Sequence, residues 1–223
     1  ADGSMADHRL TLDVQAPPAR LNAEFEGGLR SADPTWRGQL LTLAGEGSAF
    51  GAWDLEAPST LSAGAEQLRL EQTCFGRRSA AGRLCLDGSW QASGAAALEL
   101  NIASLPVEAF LPTITGELSG GLKAAIGAGG GLAADGRLEL GSGLVRLPED
   151  LEARPLVHGG GHLTLAVGDE GLRAEADFAA PEEGSVDLEL RLPDLRTVPL
   201  TSRQPLEGQV RARLPNLAIL AAL

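Results

Sequence analysis

Two histidines separated by three glycines form the one cluster whose residue types suggest chemistry. The first four residues of His158-Gly-Gly-Gly-His162 resemble the oxyanion-hole loop of some esterases, and the two imidazoles could also bind a metal ion. Esterase chemistry needs a Gly-x-Ser-x-Gly turn, which the sequence lacks. We therefore predict that His158 lies in a flexible loop, that His162 opens a strand, and that the glycines form a plain turn.

Adjacent carboxylates occur three times, each time beside Gly or Pro in a predicted turn, at Glu149-Asp150, Asp169-Glu170 and Glu182-Glu183. Neighbouring side chains on a strand point apart, so such pairs are poor partners for acid/base catalysis. The sequence also lacks the spacing of a calcium loop, a P-loop or a dinucleotide loop. We predict that the protein is not an enzyme, with no catalytic residue, no metal site and no cofactor.

The two cysteines, Cys74 and Cys85, lie near each other in sequence. Cys85 stands between Leu84 and Leu86, so its side chain points away from theirs. A charged, turn-like segment at 76–82 would bring the sulfurs together across a hairpin. We favour a disulfide, which would stabilise the fold by roughly 2–3 kcal/mol, over two free thiols. A metal site is less suitable, because no second Cys or His pair has ligand spacing.

Composition excludes several classes of function. The net charge of −12 opposes binding to nucleic acid. Aromatic residues make up only 4% of the chain and tyrosine is absent, which argues against sugar-binding clefts and base-stacking platforms. No stretch approaches the roughly 20 apolar residues of a membrane-spanning helix. Residues 1–5 resemble a cloning remnant, and we expect residues 6–223 to form one elongated segment.

Leucines spaced by two dominate the rest of the chain, and polar, small or charged residues stand between them. Period two places alternate side chains on opposite faces of a strand, so the pattern predicts strands with one aliphatic and one polar face. The predicted aliphatic lining comprises Leu12, Leu41, Leu43, Leu68, Leu70, Leu84, Leu86, Leu98, Leu100, Ile102, Leu138, Leu140, Leu163, Leu165, Leu188 and Leu190.

The spacing of these strands predicts an all-β fold without long helices. In the glycine-rich stretch 113–147, leucines four apart allow a helix, but the glycines favour strand pairs. Leu105-Pro106 starts a predicted helical turn that ends before Pro112, and Leu214-Pro215 repeats this pattern about 109 residues later. The repetition favours an elongated, repeat-like sheet that curls around its aliphatic face.

Two uses of the aliphatic face stay open at this point. Two sheets packed face to face would make it the dry core of a compact sandwich. A curled sheet would instead form a hydrophobic groove, or trough, that shelters acyl chains, with each buried CH₂ contributing about 0.8 kcal/mol. The near absence of aromatic residues and the glycine-led strands favour the trough.

The order of several motifs resembles the TamB family, which belongs to the AsmA-like, bridge-like lipid transfer proteins. These motifs are Trp53-Asp-Leu-Glu-Ala-Pro-Ser-Thr-Leu61, Leu68-Arg-Leu70, Cys74, Leu84-Cys-Leu86, Gly88-Ser-Trp90 and Leu105-Pro106. The resemblance is strongest over residues 36–147. It implies a β-taco, or β-helix-like, body with a hydrophobic groove. An oxidising periplasm, which the resemblance also implies, agrees with the disulfide.

The resemblance further implies anchoring of the full-length protein in the inner membrane of a diderm bacterium by one N-terminal helix. Its partners would be phospholipid acyl chains, the outer-membrane barrel TamA and outer-membrane protein substrates. The anchor helix and a TamA-binding C-terminal region are not recognised here, so we expect an internal periplasmic segment. Its expected function is phospholipid conduction, coupled to outer-membrane protein assembly. The alternatives are a chaperone-like groove that binds unfolded barrel strands and a compact β-sandwich serving as a scaffold.

Overall fold

The computed structural model describes residues 2–30, 33–47, 51–78, 80–146, 155–180, 184–195 and 205–213. The chain divides into two compact units. Unit 1 comprises Ala1–Asn101 and Ala125–Gly129, and unit 2 comprises Ile102–Ala124 and Gly130–Leu223. Nearly all described residues lie in β-strands, so the predicted all-β class is confirmed.

Unit 1 is a meandering sheet in which most strands pair with their neighbours in the sequence. Its strands are β1 (Asp2–Ser4), β2 (Asp7–Ala16), β3 (Ala19–Arg30), β4 (Asp33–Gly47), β5 (Gly51–Leu55), β6 (Ser59–Ala63), β7 (Gln67–Arg77), β8 (Arg83–Gln91) and the first part of β9 (Ala96–Pro106). The order in the sheet is β1-β2-β3-β4-β5-β7-β8-β9, and β6 pairs with both β4 and β7. Short turns between successive strands make this antiparallel arrangement possible.

Two parts of unit 1 are more regular than the sequence indicates. The stretch between Pro18 and Pro34 is only weakly patterned in the sequence, but β3 occupies most of it. Its pattern is hidden because Ala23 and Gly27 stand on its aliphatic face where leucines would have marked the period. Residues 45–47, in which two glycines flank a glutamate and indicate a turn, are instead the end of β4. Glycine weakens a strand but does not exclude it when both neighbours supply hydrogen bonds.

Register shifts interrupt β4 and β7. On β4, Leu40 lies opposite Phe25 and Thr42 opposite Glu24, so Leu41 is an extra residue without a cross-strand partner. The bulge interrupts the strict two-residue alternation that predicts Leu41 and Leu43 on one face of β4. The most buried side chains of unit 1 lie on strands at or near these shifts, namely Ala23, Leu40, Ser59 and Thr73. A bulge increases the local twist of a strand, which allows a single sheet to enclose a small core.

Unit 2 is a second meander with a small added sheet. Its strands are β10 (Glu117–Ile126, of which the last two residues belong to unit 1), β11 (Leu132–Leu140), β12 (Gly143–Val145), β13 (Leu156–His158), β14 (Gly160–Gly168), β15 (Gly171–Ala180), β16 (Gly184–Leu192) and β17 (Glu207–Arg213). The sheet order is β10-β11-β14-β15-β16-β17, while β12 and β13 pair with each other. The predicted strand pairs in the glycine-rich stretch are therefore present.

A single turn of 3₁₀ helix, Val107–Ala109, follows β9, as the Leu105-Pro106 pattern predicts. Val107 is buried, as is Leu105 just before the proline. The second such pattern, at Leu214-Pro215, lies outside the described residues. A fixed φ at proline suits the start of a helical turn, which explains why the signal is visible in the sequence.

Candidate functional site

The sheet of unit 2 separates aliphatic from polar side chains in its central rows. Directly opposed residues of antiparallel strands share a face, so the register defines rows across the sheet. One aliphatic row contains Leu138, Leu163, Ala176, Leu188 and Val210. The next contains Gly136, Leu165, Ala174, Leu190 and Gly208. We call this surface the aliphatic face of unit 2.

The opposite face carries only polar or charged side chains in the corresponding rows. One row contains Arg137, Thr164, Glu175, Glu189 and Gln209, and the next contains Glu139, His162, Asp177, Asp187 and Arg211. Strict alternation along each strand produces both faces at once.

Like charges meet on this polar face, and arginines compensate them. Glu175 lies directly opposite Glu189. Arg173 contacts both carboxylates, at 2.5 and 3.9 Å, and Arg191 contacts Glu189 at 2.5 Å. The hydrogen bond from Arg191 holds the pKa of Glu189 below its ordinary value. Exposed ion pairs contribute little to stability. We therefore interpret this face as the one that contacts solvent.

The side chains on the aliphatic face of unit 2 are only partly buried. Leu138, Leu163 and Leu165 are half-buried, and exposure rises to 39% at Leu188 and 65% at Val210 towards β17. The core of a sandwich would leave such side chains almost fully buried. Among the described residues of unit 2, no second sheet covers these rows, because the only other sheet is the β12–β13 pair. These aliphatic side chains are therefore partly exposed in the described part of unit 2.

Unit 1 has a similar aliphatic face, built on a less regular frame. One row contains Leu12, Ala23 and Leu43, and another contains Leu61, Leu70 and Gly88. Leu84 lies opposite Phe75, and Leu86 lies opposite Thr73. The exposed apolar side chains of this unit include Leu10, Leu12, Val14, Leu68, Trp90 and Leu98.

The predicted lining residues fall into three groups. Leu138, Leu140, Leu163, Leu165, Leu188 and Leu190 share the aliphatic face of unit 2. Leu12, Leu43, Leu68, Leu70, Leu84 and Leu86 lie in cross-strand pairs of unit 1, where Leu41 is the bulge residue. Leu98 and Leu100 belong to β9 in unit 1, and Ile102 belongs to unit 2.

Both histidines of the glycine cluster are held by neighbouring groups of the fold. The prediction that His158 lies in a flexible loop is wrong, because it ends β13 and has 0% exposed surface. Its Nε2–H donates to the carbonyl oxygen of Thr115 at 2.8 Å, and its Nδ1 accepts the N–H of Gly160 at 3.1 Å. His162 lies on the polar face, 3.5 Å from the carboxylate of Asp177. Both nitrogens of His158 are thus occupied by the backbone, which explains its burial without catalysis.

The described residues contain no group of three or more His, Cys, Asp or Glu side chains arranged to hold a metal ion. They also contain no helix of the length and hydropathy needed to cross a membrane. What distinguishes this part of the molecule is the aliphatic face of each unit.

A family model provides the decisive comparison. The model described as the N-terminal domain of TamB matches residues 1–223. The chain belongs to the TamB family. No curated protein and no solved structure gives a significant match. Membership of the TamB family supports a TamB-related role and a location in the cell envelope.

The two cysteines of the chain form a disulfide. Cys74 and Cys85 are directly opposed on β7 and β8, with Cα atoms 4.0 Å apart, and they are joined. Both lie on the face opposite Leu84 and Leu86, as alternation requires. A disulfide is suited to an oxidising compartment of the envelope.

Leucine spacing alone missed part of the aliphatic face of this TamB-family chain. Ala174, Ala176 and Phe178 of β15 and Val210 of β17 share rows with the predicted leucines. Their period of two was present in the sequence, but small residues and single valines were not counted. Alanine and glycine within the rows leave room for the longer side chains on both sides of them.

Proposed function

We propose that the aliphatic faces of this TamB-family chain shelter phospholipid acyl chains during transfer between the inner and outer membranes of a diderm bacterium. The observation that supports this most strongly is the half-exposed aliphatic face of unit 2. Apolar surface that remains in contact with water gains free energy when an acyl chain covers it, by about 0.8 kcal/mol per buried CH₂.

The chemistry of the rows favours conduction over storage. Leu165 and Leu190 offer only aliphatic groups, and the positions facing them on both sides are alanine or glycine. Such a surface makes no directional contact with a tail, so an acyl chain can slide along it without losing hydrogen bonds. The absence of a charged or hydrogen-bonding side chain from both rows leaves the head group in solvent.

The proposal includes a location in the cell envelope and a partner there. Family membership suggests work alongside TamA-type machinery, which would connect lipid supply with the assembly of outer-membrane proteins. We place the chain in the periplasm, as part of a full-length protein anchored in the inner membrane. The disulfide on β7 and β8 agrees with that compartment.

A pair of substitutions on β14 tests the lipid proposal. Leu165→Asp puts a carboxylate into the aliphatic row between Gly136 and Ala174. Its control, Ala166→Asp, puts the same group on the polar face between Asp135 and Arg173. Bound phospholipid is measured by native mass spectrometry after incubation with vesicles. We expect Leu165→Asp to lower occupancy at least about tenfold and Ala166→Asp to leave it unchanged, since an unpaired charge is costly only in the apolar row.

Two results would contradict the proposal. One is equal lipid occupancy in both variants and in the unmodified chain. The other is no bound lipid in any of them, provided that circular dichroism shows the β-sheet intact in all three.

A further inference from the structure

The β12–β13 sheet is a bent continuation of the β11–β14 pair. β11 leads into β12 through residues 141–142, and β13 leads into β14 through Gly159. The next residue, Gly160, has a φ of +90° and turns the chain. The bend places the ring centroid of His158, at the end of β13, 5.1 Å from that of Phe178 on β15. Phe178 belongs to the aliphatic face of unit 2, so the small sheet folds towards that face.

The contact with Phe178 lies on a third row of the aliphatic face, beside the row of Leu138. This third row contains Leu140, Gly161, Phe178, Val186 and Ala212. A Cβ on Gly116 would lie 3.1 Å from a methyl carbon of Leu140 and 3.7 Å from Cε1 of His158. The small sheet and the segment beside it therefore lie over one end of the face. We call the β12–β13 sheet the cover.

His158 holds the cover in place in one protonation state. The carbonyl oxygen of Thr115 can only accept a hydrogen bond, so Nε2 of His158 carries a proton; this bond is 2.8 Å long. The backbone N–H of Gly160 can only donate, at 3.1 Å, so Nδ1 carries none. The ring is neutral, and its two hydrogen bonds join β13 to the segment before β10 and to the start of β14.

A second proton would disrupt both bonds of this arrangement. Protonated Nδ1 would direct a donor at the N–H of Gly160, and the cation would have no exposed surface. Proton uptake therefore requires the ring to leave its site, so the open form of the cover binds one proton more than the closed form. The closed form loses stability as the pH falls.

The charges around the ring do not offset this effect. β12 and β13 carry no titratable side chain other than His158. Those of the neighbouring strands are exposed or lie on the polar face, namely Glu117, Lys123, His162, Arg173, Glu175 and Asp177. In the described part of the chain, no carboxylate among them forms an ion pair with His158.

We propose that the cover is a pH-sensitive device, which neutral His158 holds closed over the third row and which acidification releases. Opening uncovers Phe178 and its row, and so lengthens the apolar surface beside the row of Leu138. An acyl chain as the occupant of this added surface rests on the proposed function, whereas the opening itself does not.

Hydrogen exchange of the full chain without lipid, at pH 7.5 and 5.5, tests the opening. Protection factors remove the intrinsic pH dependence of exchange. The probes are the amides of Leu144 and Thr115, which join the cover to the segment before β10, and of Gly160. We expect their protection to fall about tenfold at pH 5.5, because one proton is taken up and an accessible imidazole titrates near pH 6.5. Amides 172–176 of β15, which has a strand on each side, should keep their protection.

Two glutamine variants locate the device. His158→Gln removes the titrating ring and should abolish the pH dependence at Leu144, however tightly the cover then closes. His162→Gln removes an imidazole from the polar face and should keep the tenfold change. The proposal is overturned by constant protection of the cover between the two pH values, by an equal fall at 172–176, or by an unchanged pH dependence in His158→Gln.

Phosphatidylcholine vesicles test the occupant in the same assay at pH 5.5. A lipid that binds only the open form should lower the protection of Leu144 at least about twofold further. Leu165→Asp should cancel this further loss and keep the pH effect. Unchanged protection while mass spectrometry detects bound lipid would refute control of lipid access by the cover. No bound lipid would contradict the proposed function alone, since the lipid-free exchange decides the opening.

Discussion

Removal of the Cys74–Cys85 disulfide should destabilise unit 1 by an amount that follows from its place in the chain. The cysteines are separated by 11 residues, and the chain-entropy model assigns a loop of that size about 3 kcal/mol. The cysteine side chains lie on the face opposite Leu84 and Leu86 and are only half-buried, so replacing both with alanine should add little packing cost. We therefore expect Cys74→Ala combined with Cys85→Ala to lower the free energy of unfolding of unit 1 by about 3 kcal/mol.

Intrinsic fluorescence can report on unit 1 alone. The three tryptophans, Trp36, Trp53 and Trp90, all lie in this unit, and the chain has no tyrosine. Urea unfolding followed by tryptophan emission gives the urea concentration at the midpoint and the slope of the unfolding free energy against urea concentration. The unmodified chain under reducing conditions is the matched control and should behave like the double variant. A loss below about 1 kcal/mol with an unchanged slope would refute the reasoning, because the crosslink would then not restrict the unfolded chain.

Other substitutions test packing and charge. Leu40→Ala should cost about 2–5 kcal/mol, because only 4% of Leu40 is exposed, whereas Leu41→Ala at the half-buried bulge should cost clearly less in the same urea assay. Gly143→Ala should open the β12–β13 sheet to hydrogen exchange, since a Cβ at Gly143 would collide with a backbone carbonyl. Asp54→Asn should lower stability slightly at neutral pH, because the hydrogen bond from Arg78 holds the pKa of Asp54 below its ordinary value. A carboxyl with a lowered folded-state pKa stabilises the fold above its unfolded pKa and loses that effect as pH falls, so the two proteins should converge in acid below about pH 4.

Each of these predictions has a result that would contradict it. Equal losses for Leu40→Ala and Leu41→Ala would mean that the bulge does not set the burial on β4. Gly168→Ala is the control for Gly143→Ala, because nothing lies within 4 Å of a Cβ at that position. Similar exchange in both glycine variants would contradict the close approach. A stability difference for Asp54→Asn that persists unchanged into acid would exclude the ion pair as its cause.

Period-two spacing predicted the strands of unit 2 because their rows are regular. From β14 to β16 every position alternates without a register shift, so the sequence spacing of Leu163, Leu165, Leu188 and Leu190 corresponds directly to one face. The spacing of residues in the sequence predicts the face of each side chain where no bulge shifts the register. The same holds for the cysteine hairpin, in which a short loop fixes the pairing.

Unit 1 shows where such reasoning fails. The bulge at Leu41 depends on the register between β3 and β4, which tertiary packing sets and which a single strand does not reveal. β3 escaped prediction because alanine and glycine occupy part of its aliphatic face. His158 was misplaced for a related reason, since Thr115, the partner of its Nε2, lies 43 residues away in the sequence.

The most direct test of the central claim is site-specific photocrosslinking along β14. A benzophenone amino acid is introduced in turn at Leu163, Thr164, Leu165 and Ala166, and the chain is irradiated with phospholipid vesicles. Lipid adducts should form at positions 163 and 165 and not at 164 and 166, since only the first pair lies on the aliphatic face. Adducts of equal yield at all four positions, or adducts confined to 164 and 166, would contradict acyl-chain binding on that face.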